Sequence, residues 1–540
     1  MATSVVSLSQ PSADAPFRTH RGRAMLVVST LTFFAFLVHG YHPFAEDGGL
    51  YLAGVKRVLE PGMYPYQSGF VLGHLRFSIF APMLALAVRA SGLGLQTILL
   101  MTYLAATWAT LWSGWLLAER CFEGTARLGS VTLLATWLAL PVAGTSLMLM
   151  DPYVTARSIS TPCILLALYY ALEFMMKWRR HEEHDVSSLT KVGALMLIAG
   201  LMHPLMAAYG FGSILALVAG AVPGRRIWLL STGVLCMASV VVGSILRIVG
   251  APESSDYRQV AMSRYYWFLS QWHWYEWMGL AGPMLILGFT AFARARRGNN
   301  PARIALARMS ITAGFASVLV ALLFATPHAE NLLVARLQPL RVFQIIYTVM
   351  ILFVGAQLSV WLGKRKLHWV ATFGLLATIM FFSERQTFPS SAHIELPNRQ
   401  QNNPWVQAFD WIRRNTPKDA LFALDSDYIT KPGEDAQSFR AIAERSALPD
   451  YSKDGGEAAI TPSLTKSWEV GQSLQARLSE RSDRDRLTLL RPAGVSWVVL
   501  ARQAITAFPC AYSNVAVKVC RIPPSSHSNK VSGQVLEANR

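Results

Sequence analysis

The chain has 540 residues, of which 52% are hydrophobic and 15% are charged, and its mean hydropathy is positive. This composition excludes an ordinary soluble protein of the same length and predicts a polytopic α-helical membrane protein. Most of the net charge of +17 lies before residue 384. Basic residues between apolar segments are typical of cytoplasmic loops, so the charge does not predict a nucleic-acid partner.

The first apolar segment, residues 24–41, contains no Asp, Glu, Lys or Arg. As a helix it would rise roughly 27 Å, which is enough to cross a bilayer core. Residues 1–23 before it are predicted to be a cytoplasmic tail. Glu46 and Asp47 follow it, at the start of a first outside loop that we predict over residues 42–76.

The acidic pair Glu46 and Asp47 is the first candidate catalytic site. A carboxylate at a membrane surface can act as general base for an acceptor hydroxyl or amine when a pocket tunes its pKa. The alternative is a solvated loop carboxylate, because most carboxylates are exposed. Gly48, Gly49 and Tyr51 favour a folded loop, and Tyr51 is a candidate pocket residue.

Clusters of Lys and Arg separate the apolar stretches of a transmembrane domain that we predict over residues 24–383. All of them can share the cytoplasm, which places the amino terminus inside and the acidic pair outside. The clusters lie at residues 18–23, 177–180, 225–226, 294–308 and 364–366. We expect roughly 11 to 13 spans, the lower number if residues 77–92 lie along the membrane surface.

A second acidic position, Asp151, lies close to Arg157 in a segment that the charge pattern places outside. Asp151 is a candidate second carboxylate on the acceptor side of a site. The alternative is a mutual ion pair of Asp151 and Arg157 that caps helices, since such pairs are common at the ends of spans.

The third candidate is the segment 336–341, which contains Arg336, Gln338 and Arg341. Its two guanidinium groups would suit the binding of a lipid phosphate through charge-assisted hydrogen bonds. The alternative is that both side chains extend toward lipid headgroups.

Two histidines are weaker candidates for pocket residues. His203 precedes Pro204 in a predicted tight hairpin, where it could also be a hydrogen-bonded residue at a helix end. His273 lies in the aromatic-rich segment 257–277, which is more typical of an interfacial belt than of a sugar-stacking cleft.

Beyond Ser383 the chain becomes more polar, and residues 384–523 predict a small extracytoplasmic α/β domain followed by a disordered tail over 524–540. Asn403 and Pro404 predict a helix start, and residues 495–501 predict a buried strand. Cys510 and Cys520 flank a predicted turn, so they are either bridged or free thiols.

Several of these features together resemble the C-type (GT-C) membrane glycosyltransferases, which include protein O-mannosyltransferases, lipid A aminoarabinose transferases and oligosaccharyltransferases. They are the acidic pair after the first span, the long Gly- and Tyr-containing loop, the many spans and the outside domain. The segment WVQAFDWIRRNTPKDALF, residues 405–422, is similar to the opening of the tail domain in several such proteins.

The resemblance implies an integral-membrane glycosyltransferase of a bacterial cytoplasmic (inner) membrane. It would transfer a sugar from a polyprenyl-phosphate donor to a glycan, lipid or protein acceptor at the outer face, with Glu46 or Asp47 as base. A divalent metal at Asp47 is compatible with this resemblance, although no residue pattern requires one. The alternatives are a catalytically silent assembly or binding protein with the same fold, and a transporter or flippase.

Overall fold

The computed structural model describes residues 15–182, 186–292, 300–363 and 365–524, with side chains from residue 21 onward. Residues 1–14 of the predicted cytoplasmic tail and residues 525–540 of the predicted disordered tail lie outside the described residues. The same holds for basic residues of the clusters at 294–308 and 364–366.

The first part of the chain is helical, as the apolar segments predict. Its helices are α1 (Ala15–His39), α2 (Glu46–Leu59), α3 (Gly69–Leu72), α4 (Phe80–Ser91), α5 (Leu95–Cys121), α6 (Gly124–Thr136), α7 (Ala156–Arg179), α8 (Val186–Met202), α9 (Pro204–Ala221), α10 (Arg225–Val249), α11 (Ser255–Met262), α12 (Trp274–Ala291), α13 (Pro301–Phe324), α14 (Leu333–Arg336), α15 (Phe343–Leu362) and α16 (Lys366–Thr387). The last of these helices continues past the predicted boundary at Ser383.

Within the described residues, seven helical segments are long and apolar enough to cross a membrane: α1 from Arg21, α7, α9, α10, α13, α14 with α15, and α16. An eighth candidate is Gly69–Phe77 with Phe80–Ser91, which is bent by 94° at its break. The predicted segment 77–92 is therefore part of a bent pair of helices. The expected total of roughly 11 to 13 spans stays a prediction.

Small residues let the helices of the membrane domain approach closely. A Cβ at Gly129 of α6 would lie 2.7 Å from the Gly355 carbonyl oxygen of α15, and one at Gly355 would lie 2.5 Å from the Gly129 carbonyl oxygen. Such contacts are typical of helix packing in membranes. By contrast, only 6% of the most apolar stretch of α10 is buried, so this helix presents its apolar side chains outward, as a lipid-facing helix does.

The tail forms the small α/β domain that the sequence predicts. Its elements are α17 (Pro404–Asn415), β1 (Leu421–Ala423), α18 (Phe439–Ala443), β2 (Ser446–Ala447), α19 (Lys453–Ile460), α20 (Thr465–Gln475), α21 (Asp483–Leu490), β3 (Trp497–Ala501), β4 (Cys510–Ser513) and β5 (Val517–Arg521). The sheet order is β2-β1-β3-β5-β4, with β2, β1 and β3 parallel and β5 antiparallel to β3 and β4.

Local sequence signals explain several of these elements. The Asn403 side chain accepts hydrogen bonds from the backbone N–H groups of Trp405 and Val406, as an N-cap does. Cys510 and Cys520 face each other on β4 and β5 and form a disulfide, which decides the alternative left open by the sequence.

The tail domain pairs directly with the chain that leaves α1. Tyr41 and Ile394 form a parallel bridge, and Ala45 and Gln437 form an antiparallel one. Between them the His42 imidazole lies 2.9 Å from a Glu395 carboxylate oxygen, with both side chains fully buried. The first loop and the tail domain are therefore packed against each other by backbone and side-chain contacts, which fixes the start of α2.

We expect Gly49→Ala to destabilise the protein by roughly 2 kcal/mol or more, because overpacking displaces backbone. A Cβ at Gly49 would press on the Ser438 side chain and lie 2.5 Å from the Phe44 carbonyl oxygen. Thermal unfolding in detergent measures the effect. Gly62→Ala is the matched control, since no atom lies within 4 Å of its added Cβ. Equal melting temperatures for the two variants would contradict this account of the junction.

Candidate active site

The start of α2 presents the acidic pair at the junction of the two domains. Glu46 is the first residue of α2 and has a left-handed backbone, with φ of 51°. Its backbone N–H donates to the Ala436 carbonyl oxygen of the tail domain at 2.8 Å. Contacts from the tail thus hold Glu46 in a conformation that non-glycine residues rarely adopt, and Asp47 follows in the first turn of the helix.

Arg157, the second residue of α7, contacts both the first loop and the segment that precedes α7. Both terminal nitrogens of its guanidinium donate to Asp47 Oδ2 at 3.1 Å, and Nη2 also donates to Asp151 Oδ2 at 3.0 Å. The expected Asp151–Arg157 ion pair therefore exists, and it includes Asp47. Only 8% of the Arg157 and Asp151 side chains is exposed, so this is an almost fully buried contact.

Lys453, the first residue of α19, completes the cluster from the tail domain. Its ammonium group lies 3.1 Å from Asp47 Oδ1 and forms a second ion pair with Glu46. The two oxygens of the Asp47 carboxylate thus contact different cations, Lys453 and Arg157. We call Glu46, Asp47, Asp151, Arg157 and Lys453 the junction cluster.

The carboxyl groups of the junction cluster differ in protonation behaviour. Surrounding protein atoms favour the neutral form of Asp47, but Lys453 and Arg157 outweigh them and hold its pKa below the usual range. For Asp151, burial is the larger effect and raises the pKa despite Arg157. Asp47 keeps 31% of its side chain exposed, so a ligand can reach this carboxylate, and its lowered pKa favours the ionised form.

Two of the predicted pocket residues lie near this cluster. Burial raises the pKa of Tyr51 to about 12, against the opposing effect of Arg157 and Arg341. Burial also lowers the pKa of His203 to about 3, and Arg157 and Arg341 add to that shift. Arg341 is thus close enough to act on the same groups as Arg157 does.

The three residues of the predicted phosphate segment differ in their contacts. Arg336 donates from Nη2 to Glu253 at 2.8 Å and from Nε to the Tyr257 hydroxyl at 3.0 Å. Arg336 is therefore paired with a carboxylate, and its predicted role in phosphate binding stays a prediction. Gln338, between the two arginines, has a left-handed backbone with φ of 47°.

Arg341 and Gln338 line a small cavity together with Thr145, Tyr266 and Trp267. Nε of Arg341 and Oε1 of Gln338 are buried and have no hydrogen-bond partner within the described chain. Nor does any carboxylate among the described residues form an ion pair with Arg341. This guanidinium consequently retains donors for an anion.

His273 has a structural position at the start of α12. Its side chain and that of Glu276 form a reciprocal capping box, and its ring stacks on Tyr275. These contacts account for His273 without a ligand, and they do not include any residue of the junction cluster.

Lys453, Glu457 and His74 were missed by the sequence analysis. Glu457 lies one turn after Lys453 on α19, and one of its carboxylate oxygens is 3.9 Å from His74 Nδ1. Neither ring nitrogen of His74 has a hydrogen-bond partner in the described structure. The sequence feature that could have indicated Lys453 and Glu457 is the charged, glycine-rich segment 450–457. It follows a strand of only two residues, too short to recognise from its pattern.

Glycines make room for the side chains of His74 and Glu457. A Cβ at Gly54 of α2 would lie 3.0 Å from His74 Nε2, and a Cβ at Gly73 would overlap the Glu457 carboxylate. Asp47, Tyr51 and Gly54 share one face of α2 because they follow each other at four and three residues. The face that carries Asp47 therefore continues toward His74 and Glu457.

A divalent metal at Asp47 does not fit these side chains as they are arranged. Metal coordination needs carboxylate oxygens that are free to donate lone pairs, and both Asp47 oxygens already contact a cation. No group of three or more His, Cys, Asp or Glu side chains in the described residues is arranged to hold a metal ion.

No protein-family model matches the chain, and no curated protein sequence matches it. Among solved structures it is similar to the oligosaccharyltransferase AglB of Archaeoglobus fulgidus in complex with an inhibitory peptide and a dolichol-phosphate. The identity is 12% and the TM-score 0.42, over 89% of this chain and 70% of that one.

The oligosaccharyltransferase of the same organism in complex with Zn and sulfate is also similar. Here the identity is 13% and the TM-score 0.40, over 88% of this chain and 68% of that one. Oligosaccharyltransferases are among the enzymes that the sequence resembles.

We expect Glu457→Gln to flatten the pH dependence of stability. Burial, followed by Asp454 and Asp47, raises the pKa of Glu457 from 4.5 to about 8. Between these two pKa values the folded state keeps the Glu457 proton, whereas the unfolded state has released it. The free energy of unfolding therefore falls as the pH rises from the unfolded pKa to the folded pKa. The glutamine variant should be more stable than the wild type at pH 9 by at least about 1 kcal/mol, and lose this advantage near pH 5.

Thermal unfolding at both pH values tests this expectation. Glu480→Gln, at an exposed position of the same domain, is the control and should leave the pH profile unchanged. Parallel profiles for the wild type and Glu457→Gln would show that Glu457 is ionised in the folded protein.

Proposed function

We propose that this protein is an integral-membrane glycosyltransferase. It transfers a sugar from a polyprenyl-phosphate donor to an acceptor at the outer face of a bacterial cytoplasmic membrane. Its amino terminus is cytoplasmic, and its tail domain and junction cluster lie outside. The acceptor is a glycan, a lipid or a protein with a free hydroxyl or amine.

The observation that carries the proposal is the accessible carboxylate of Asp47 between two cations from different parts of the chain. Arg157 comes from the segment after α6 and Lys453 from the tail domain. Perturbed ionisable groups that converge from distant segments are typical of active sites.

In the proposed reaction the acceptor oxygen or nitrogen attacks the anomeric carbon of the sugar. The bond between this carbon and the phosphate oxygen breaks, and polyprenyl phosphate leaves with the bonding electrons. The acceptor proton passes to a carboxylate of the acidic pair. Asp47 is the better placed of the two, because Arg157 and Lys453 orient both its oxygens, whereas Glu46 is held by Lys453 alone.

Arg341 is proposed to bind the phosphate of the donor. Its guanidinium is buried, lacks a carboxylate partner among the described residues, and faces the cavity shared with Gln338 and Tyr266. A guanidinium held in this way can stabilise the charge that develops on a leaving phosphate. His203 and Tyr51, whose pKa values both respond to Arg341 and Asp47, are proposed as further residues of this pocket.

A catalytically silent binding protein is the second candidate, and one observation favours it. The same ion pairs that orient Asp47 lower its pKa, and a carboxylate with a low pKa is a weak proton acceptor. In a silent protein the junction cluster would serve only to attach the tail domain to the first loop.

Transfer assays with the purified full-length protein distinguish the two candidates. Radiolabelled polyprenyl-phosphate sugars and a panel of hydroxyl and amine acceptors supply the substrates. We expect Asp47→Asn to lower the rate by at least about 100-fold, since the base is lost. Asp410→Asn, which neutralises a half-buried, arginine-paired carboxylate of α17, should leave it unchanged. Full activity in both Asp47→Asn and Glu46→Gln would exclude the acidic pair as the base.

The two arginines of the segment 336–341 should respond differently to alanine. We expect Arg341→Ala to raise the apparent KM for the donor by about tenfold or more, because a charge-assisted contact to phosphate is lost. Arg336→Ala should mainly lower the melting temperature, because it leaves Glu253 unpaired. Donor titrations and thermal unfolding of both variants measure these effects, and an unchanged donor KM in Arg341→Ala would remove Arg341 from the site.

A further inference from the structure

The ammonium group of Lys453 is held in place by a rigid part of the tail domain. The Lys453 backbone N–H donates to Asp450 Oδ1 at 2.6 Å. The next residue, Asp454, accepts two hydrogen bonds from Arg440, at 2.6 and 2.7 Å, and a third from the Asp450 backbone N–H. The first turn of α19 is thereby fixed by buried charged side chains.

The membrane domain fixes the same turn from the other side. Arg264 donates to the carbonyl oxygens of Tyr451 and Ser452, both at 2.7 Å. A side chain at Gly455 would overlap the Arg264 guanidinium, so the glycine permits this approach. Lys453 is therefore presented to the acidic pair from a segment that both domains immobilise, unlike a flexible surface lysine.

Lys453 and Arg157 together supply the charge that a divalent cation would supply. Each carries one positive charge, and their contacts cover Glu46, both oxygens of Asp47, and Asp151. A metal ion among these carboxylates would have to displace a covalently attached cation or approach within a few ångströms of it, where like charges repel.

We infer that Lys453 is a built-in cation that occupies, between Glu46 and Asp47, the position a divalent metal would otherwise take. The metal-binding part of this inference rests on the junction cluster alone. Its consequence, that transfer needs no divalent metal, rests on the proposed function. Lys453 is then a positioning residue, since it acts on the reaction through the orientation and charge of Asp47.

Mn²⁺ titration of the chelator-treated full-length protein, followed by calorimetry and electron paramagnetic resonance at pH 7, tests the inference without any substrate. The wild type and Lys453→Arg should show no Mn²⁺ site. Lys453→Met removes the charge at similar volume and should gain one site, with an affinity at least about tenfold higher than the wild type's. The added substitutions Glu46→Gln and Asp47→Asn should abolish this site. Lys466→Met, at an exposed position of α20, is the matched control and should resemble the wild type.

Two results would overturn the inference. One is a wild-type protein that binds Mn²⁺ as tightly as Lys453→Met does, and the other is a folded Lys453→Met that binds no Mn²⁺. Thermal unfolding verifies that the variants fold, and Lys453→Gln serves as the second neutral variant. Should the wild type transfer no sugar, the proposed function would fail while the Mn²⁺ result would still decide the role of Lys453.

Discussion

The junction between the two domains depends on the contact of one ammonium group with two adjacent carboxylates. Glu46 and Asp47 are consecutive in the chain, so their charges repel each other, and a left-handed residue at the start of α2 brings them to the same side. Lys453 neutralises this repulsion from the tail domain. Because Lys453 and the acidic pair come from distant parts of the sequence, the contacts of Lys453 exist only when the tail domain is docked.

The tail domain is built to deliver that ammonium group. The parallel strand β2 is followed at its carboxyl end by the loop that leads into the first turn of α19. In open α/β sheets, functional groups collect at the carboxyl ends of parallel strands. Here Arg440 and Arg264 clamp that loop from two sides. The domain is thus part of the site's structure.

Sequence reasoning identified groups of this site that are near one another along the chain and missed those that are distant. The ion pair of Asp151 and Arg157 could be predicted from the sequence, because few residues separate them. Lys453 could not, since its approach to Asp47 depends on the docking of a domain through bridges at Tyr41 and Ala45. Arg336 and Arg341 were predicted to act together, and the structure gives them different surroundings, which their short spacing in the sequence does not reveal. The α/β tail was predictable, since strand, cap and turn signals are local, whereas the state of Cys510 and Cys520 was decided only by the structure.

Carboxyl groups at the junction favour different protonation states because their surroundings differ. Two cations keep Asp47 ionised, whereas burial favours the neutral forms of Asp151 and Glu457. Such divergence is how one site holds both a proton acceptor and a proton donor at neutral pH. In the proposed reaction, an ionised Asp47 would accept a hydrogen bond from an incoming hydroxyl or amine without first losing a proton. Negative charge that develops on the departing phosphate would offset the effect of the two cations and raise the basicity of this carboxylate as the acceptor proton is released. The ion pairs that weaken Asp47 as a base at rest would then be the means by which it becomes a stronger one during transfer.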